Sequence, residues 1–198
     1  MMEKNLMALM KQIPKIKSGN RFILGLDGLS RSGKTTLGDR LSEHLTEAGM
    51  PFHLFHIDDH IVEREKRYAT GHDQWYEYYH LQWDIDWLSR NFFEQLKGLN
   101  QVSLPFYDNE SDTHSIQDID LPDACLIIIE GVFLQRREWR SFFDMVVYVD
   151  CSRETRYLRE SDAAKRHMDK LRNRYWKAEE FYLRTEKPMG KADLVIEG

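Results

Sequence analysis

The eight residues Gly28-Leu29-Ser30-Arg31-Ser32-Gly33-Lys34-Thr35 fit the pattern GxxxxGK[ST] at every required position. Those residue types at that spacing suit one task, the holding of a phosphate chain. Gly28 and Gly33 let backbone N–H groups turn inward around a phosphate with no Cβ in the way. Ser30, Arg31 and Ser32 fill the loop between them, and Thr36 follows it. A helix starting at the loop adds the positive end of its dipole. Lys34 supplies a point charge for the outer phosphates, and the Thr35 hydroxyl is a ligand for Mg²⁺. The flanks agree, with an apolar strand before the loop and an amphipathic helix after it. The loop therefore predicts a bound nucleoside triphosphate, ATP with Mg²⁺. It leaves the fate of the phosphoryl group open, because kinases, hydrolases, switches and motors all share it.

Transfer to a hydroxyl needs a carboxylate to orient and deprotonate the acceptor, a metal, and cations over the developing charge. Asp58 and Asp59 stand at the end of a predicted strand, where one would face the cleft and the other away. Asp58 is the candidate base; a turn or helix-cap pair is the plainer alternative. Glu130 ends a very apolar strand, where an acid is costly unless it meets a metal or a partner. A place in the Mg²⁺ shell is the reading favoured for it. Arg153, Arg156 and Arg159 recur every three residues and roughly share a helix face. With Lys165 and Arg166 they could clamp phosphates as a mobile lid. A solvated face paired with Glu154, Glu160 and Asp162 is the alternative, and a nucleic-acid patch is a rival.

These residues must be positioned by four apolar runs that read as buried strands: residues 21–27, 51–58, 124–131 and 143–150. Continuous apolar strands suit a parallel sheet covered on both faces. A fifth, DLVIEG, ends the sequence. Between them, helices are predicted over 35–48, where Leu37, Leu41 and Leu45 recur at i, i+4 and i+8, over 84–96, over 153–171 with a break, and over 175–185. Alternation of this kind predicts an open α/β sheet with helices on both faces, with ligands beyond the carboxyl ends of the strands. The aromatic-rich stretch GHDQWYEYYHLQWDIDWL (71–88) reads as core for any single ring, although rings near an active-site edge could stack on a base. His53 and His56 have opposite parity and face opposite ways.

The chain has 198 residues, which suits one domain over 1–198, with an N-terminal helix over about 1–18 and a lid over about 159–172. Its 28 Lys and Arg against 33 Asp and Glu give a net charge of −5, which argues against a surface built for nucleic acid. Between Arg153 and Lys177, however, nine basic residues face four acidic ones, a local excess of five. No apolar run approaches membrane-spanning length. The two cysteines, Cys125 and Cys151, read as reduced thiols of a cytoplasmic protein. A homo-oligomer is compatible with the sequence.

The ordered set of motifs resembles the uridine kinase family, within the P-loop kinases that include nicotinamide riboside kinases and phosphoribulokinases. The resemblance runs from about Phe22 to Val195. It rests on the phosphate loop with Thr35-Thr36, on Asp58-Asp59, on Gln82-Trp83-Asp84-Ile85-Asp86-Trp87-Leu88, and on Leu104-Pro105-Phe106-Tyr107-Asp108 with Thr113-His114-Ser115. Ile129-Glu130-Gly131, Thr155-Arg156 with Arg159, and Ala192-Asp193 complete it. It implies a P-loop kinase fold with an arginine-bearing lid. It also implies roles: Asp58 as base for a 5′-hydroxyl, Asp84 for the sugar hydroxyls, Tyr107 and His114 near base or sugar, Glu130 for Mg²⁺, and Arg156 and Arg159 for the phosphates. The departures fall on substrate reading. His60, Asn109 and Ile116 replace an aromatic residue, Phe and Arg, the loop before Thr113 is longer by about two residues, and Glu160 replaces a lid Arg.

The sequence therefore predicts an ATP-dependent kinase for a small-molecule hydroxyl, a nucleoside first. A related kinase for a non-pyrimidine metabolite, of the nicotinamide riboside type or a vitamin precursor, is the alternative. A nucleotide-gated regulator or RNA-binding NTPase is the alternative of another class.

Overall fold

The computed structural model describes residues 2–198; Met1, first residue of the expected N-terminal helix, lies outside them. That helix, α1, covers Met2–Gln12 and so stops short of residue 18. Pro14 accounts for the early end, since a proline disfavours helical backbone in the residue before it and lacks an N–H of its own.

Strand β1 (Arg21–Asp27) leads through the phosphate loop into α2 (Lys34–Glu47), and β2 (Phe52–His56) follows. Three short helices come next, α3 (Arg64–Arg67), α4 (Gln74–His80) and α5 (Ile85–Leu88). The helix predicted over 84–96 is α5 continued as a wider π turn, Ser89–Phe93. Strands β3 (Gln101–Asp108) and β4 (Thr113–Asp120) then form an antiparallel hairpin apart from the main sheet. The chain returns through β5 (Cys125–Gly131) and β6 (Met145–Asp150). The basic stretch is broken into α6 (Arg153–Leu158), α7 (Asp162–Arg166) and α8 (Met168–Lys170), then a π turn over Leu171–Trp176. Helices α9 (Lys177–Glu186) and α10 (Pro188–Lys191) precede the last strand, β7 (Leu194–Glu197).

The main sheet has five strands in the order β2-β5-β1-β6-β7, every pair parallel. Alternate side chains of its strands go to opposite faces, as a pleated strand requires. Ile23, Ile127, Ile129, Val146 and Tyr148 pack into one core with Trp83, Phe92, Phe133 and Trp139. Leu24, Leu26, Leu126, Ile128 and Val147 pack into the other, beneath α1 and α2, where Leu37, Leu41 and Leu45 meet them. Both faces are thus covered, which explains why the three central strands β1, β5 and β6 are apolar over nearly all their length. This is the α/β P-loop kinase fold. Among the described residues no helix is long and apolar enough to cross a membrane.

Candidate active site

The carboxyl ends of β1, β5 and β6 bring three segments to one edge, and the phosphate loop closes over it. Gly28 has φ 153°, and a Cβ there would stand 2.7 Å from Val149 O and 2.8 Å from Ser32 Oγ. Gly33, at φ 105°, gives α2 its left-handed entry. These are the two positions where the loop needs a missing side chain. Ser32 is fully buried, and its hydroxyl has no hydrogen-bond partner.

The loop borders a cleft of about 490 Å³. Ser30, Arg31, Gly33, Lys34, Thr35 and Thr36 form one wall. Asp58, Tyr78, Glu130 and Arg159 face them. Lys34 Nζ donates to Leu29 O at 2.9 Å and stands 3.8 Å from Glu130 Oε1. Burial pulls the Lys34 ammonium below its ordinary pKa, while Glu130, Asp27 and Asp58 work against that. Glu130 is pushed up by burial, yet His56 at 2.9 Å and the Lys34 charge outweigh it and hold the carboxyl below its ordinary value. His56 is raised in turn, chiefly by its hydrogen bond to Glu130.

Asp58 lies just past β2, in the short 3₁₀ turn Ile57–His60. Its surface opens to the cleft, but protein crowds it on its other sides. That crowding, with the Glu130 charge added and Lys34 opposing, moves its pKa up to about 6. The strand expected over 51–58 ends at His56, so it is the 3₁₀ turn and not strand alternation that puts Asp58 on the cleft and leaves Asp59 off it. Arg159 reaches back from the end of α6, its Nη1 donating to Arg31 O and Ser32 O at 3.0 and 3.1 Å.

Arg156 is placed otherwise than expected. It is buried away from the cleft, with Nη1 and Nη2 on the Glu179 carboxylate at 2.8 and 3.0 Å. Nη1 also donates to Ser30 O, and the same carboxylate accepts from Ser30 N–H at 3.2 Å. The pair braces the loop from behind. Arg153 is likewise taken, by Glu180 at 2.8 Å and the face of Trp176.

The three residues expected at the acceptor lie outside this cleft. Asp84 and His114 border a neighbouring hollow of about 230 Å³ between the hairpin and α5. Asp84 caps α5 by accepting from Trp87 N–H at 2.9 Å. His114 is held at both nitrogens, Nε2 donating to Ile61 O at 2.8 Å and Nδ1 standing 3.2 Å from Glu63. Tyr107 is saturated too: its hydroxyl accepts from Arg67 at 2.9 Å and donates to Asp112 at 2.8 Å. His60 is buried beside the same hollow and donates from Nδ1 to Pro105 O.

Sequence reasoning missed a second layer behind the loop. Asp27, the last residue of β1, is fully buried and accepts from Tyr182 O–H at 2.6 Å, Gln135 Nε2 at 2.9 Å and Leu134 N–H at 3.2 Å. Burial raises its pKa despite these donors. The cluster ties the root of the phosphate loop to α9 and to the turn after β5. An acid ending an apolar strand directly before the loop was the available signal.

Mg²⁺ is the metal that such a loop implies. The donors at the cleft are hard oxygens, the Thr35 hydroxyl with the Asp58 and Glu130 carboxylates. Among the described residues no three His, Cys, Asp or Glu gather as a full metal cage. That fits Mg²⁺, which takes one or two protein ligands and shares the remainder with phosphates and water.

A family model described as Phosphoribulokinase / Uridine kinase matches residues 23–196 of the chain. A uridine kinase of Staphylococcus aureus is 30% identical over 161 residues, 77% of this chain and 75% of the relative. A solved structure described as a possible uridine kinase from Bacillus stearothermophilus is 52% identical, with a TM-score of 0.86 over 98% of both chains. A parallel sheet opening on a phosphate loop, matched along nearly its whole length, leaves one conclusion: the chain belongs to the phosphoribulokinase/uridine kinase family.

Proposed function

We propose that the protein transfers the γ-phosphoryl group of ATP to a hydroxyl of a small molecule, with Mg²⁺ as cofactor. The observation that carries this reading is the convergence of Lys34, Asp58, Glu130 and Arg159 on one polar cleft. In the proposed reaction the loop N–H groups and Lys34 hold the β and γ phosphates. Thr35 is the direct metal ligand, and Glu130 supports it. When bound, Mg²⁺ neutralises charge on the phosphates. Asp58 orients the acceptor hydroxyl and takes its proton, and Arg159 acts on the γ-phosphate side. Arg156 acts as a positioning residue through Glu179 and Ser30. Residues 159–172 are proposed as the lid, within one domain over 1–198. A cytoplasmic setting fits the two free cysteines.

The test is ADP release from ATP and Mg²⁺ against a panel of nucleosides, sugars, polyols and vitamin-like alcohols. Release stimulated well above water hydrolysis by at least one acceptor supports the reading; release that no acceptor stimulates overturns it. Nucleosides are the first acceptors to try. The second reading, a non-pyrimidine metabolite, is favoured by one observation: the polar atoms of Tyr107 and His114 are already engaged within the protein. Uridine and cytidine turnover together would sink that second reading.

A pH dependence follows from Asp58. A base must be deprotonated to act, and kcat/KM reports the free enzyme. With the carboxyl moved to about 6, kcat/KM should rise as pH climbs through 6 and fall about tenfold per unit below it. A flat profile between pH 5 and 7 would remove Asp58 as the base.

A further inference from the structure

We propose that the cavity bounded by Tyr68, Gln74, Lys170 and Arg174 binds an oxyanion, a phosphate group foremost, carried by a small molecule. Its volume is about 470 Å³, and it lies between the turn before α4 and the base of the expected lid. Tyr78, which lines the nucleotide cleft, follows Glu77 on α4, so one helix serves both cavities.

Three cations converge on one ring there. The Arg174 guanidinium is 4.0 Å from the Tyr68 centroid, Arg67 is 5.0 Å from it, and the Lys170 ammonium is 5.4 Å from it. A single cation satisfies an aromatic face, and like charges this close repel one another. The carboxylate lining the cavity is Glu77, and it is already saturated. One of its oxygens accepts from Thr70 N–H and Oγ1–H, the other from Arg174 at 3.0 Å. Lys170 and Arg174 line the cavity against the one carboxylate Glu77, while Arg67, which does not line it, is answered by Asp112 across Tyr107, so one positive charge is left over.

Two donors are also left over. Lys170 is exposed, with no carboxylate partner among the described residues. Arg174 is 1% exposed, yet its Nε–H finds no acceptor. The positive field shows on Tyr68 itself: burial pushes the phenol up, but Arg174, Lys170 and Arg67 overcome that and hold its pKa below the ordinary value. An oxyanion in the cavity would neutralise that excess and take the exposed Lys170 donors, with the Arg174 charge behind it, as phosphate does at cationic clusters elsewhere.

The inference rests on the kinase reading only in that the test first fills the phosphate loop. The full chain is saturated with Mg²⁺ and a non-hydrolysable ATP analogue, then titrated with inorganic phosphate in a calorimeter. One phosphate per chain is expected, with weaker binding as salt rises. Lys170→Gln should weaken it at least about fivefold, the loss of one near-surface charge contact. Lys11→Gln, on the exposed face of α1, should leave it unchanged. No phosphate binding with the loop filled, or equal binding by Lys170→Gln and the parent, would overturn the proposal. If the analogue does not bind, the loop reading fails separately, and the Lys170→Gln comparison on the nucleotide-free chain still decides the cavity. Phosphate that competes with an acceptor found in the panel places the anionic group on the acceptor; phosphate that changes kcat without competing marks a separate effector. Either outcome upholds the oxyanion site.

Discussion

Asp58→Asn is expected to lower kcat by about 10²- to 10⁴-fold, the usual contribution of a positioned general base. Asparagine keeps the shape and one acceptor oxygen but cannot take the proton. Nucleotide affinity should hold, because the loop backbone, Lys34 and Thr35 that form the opposite wall of the cleft are untouched. Measured together, turnover and the Kd of an ATP analogue separate the two effects. The acid limb near pH 6 should vanish with the carboxyl that causes it. Near-normal turnover by this variant would show that the proton leaves by another route. Equal losses in turnover and nucleotide binding would show that Asp58 holds the metal or the loop instead.

Arg156→Ala should produce the largest stability loss among the site variants. It strands Glu179, which is 2% exposed, without its bidentate partner. Removing one member of a buried ion pair costs about 3–5 kcal/mol, because the other charge stays behind undissolved. Glu179 also accepts from Ser30 N–H, and Arg156 donates to Ser30 O, so the loop loses its support. Nucleotide affinity should therefore fall although Arg156 does not line the cleft. Denaturant unfolding reads the first effect, and analogue binding reads the second. A double variant with Arg156→Met and Glu179→Leu should regain much of the stability, since an apolar pair can replace a buried ionic one. It should not regain the affinity, because Ser30 keeps neither partner. A stability change in Arg156→Ala below about 1 kcal/mol, the range of an exposed pair, would contradict the bracing role.

The phosphate loop and the five sheet strands were legible because their signals are local. The loop pattern is contiguous, and a strand buried on both faces must be apolar at every position. The hairpin β3–β4 was not read as strands. It packs little core: Ser103, Gln117, Asp118 and Asp120 are exposed, and Ile116 is 69% exposed. In β3 Val102 and Leu104 are buried between exposed Gln101 and Ser103, but that alternation lasts four residues before Pro105, and β4 offers none, too little for a period-2 signal. The arginines after Cys151 show a different limit. Their three-residue recurrence set a shared face, but which of them meets phosphate depends on partners far along the chain. Glu179 takes Arg156 and Glu180 takes Arg153, leaving Arg159 at the cleft. For Tyr107 and His114 the resemblance supplied residue types but not their neighbours. Arg67, Asp112 and Glu63 engage them, and no local pattern marks such contacts.

The strand order carries a consequence for how the molecule assembles. Strands β1 and β2, neighbours in sequence, do not pair; β5 lies between them. β1 pairs with β5 across about a hundred residues, Arg21 opposite Cys125, and β2 pairs with the same strand. A ribosome that has made the first 120 residues has therefore released both apolar strands with no sheet partner for either. The closure entropy of that long loop precedes any reward from pairing, which makes such topologies slow to form. The phosphate loop hangs from the end of β1, so it cannot take its shape until β5 slides in. The chain must stay soluble through that wait, with β1 and β2 exposed to aggregation and to chaperones.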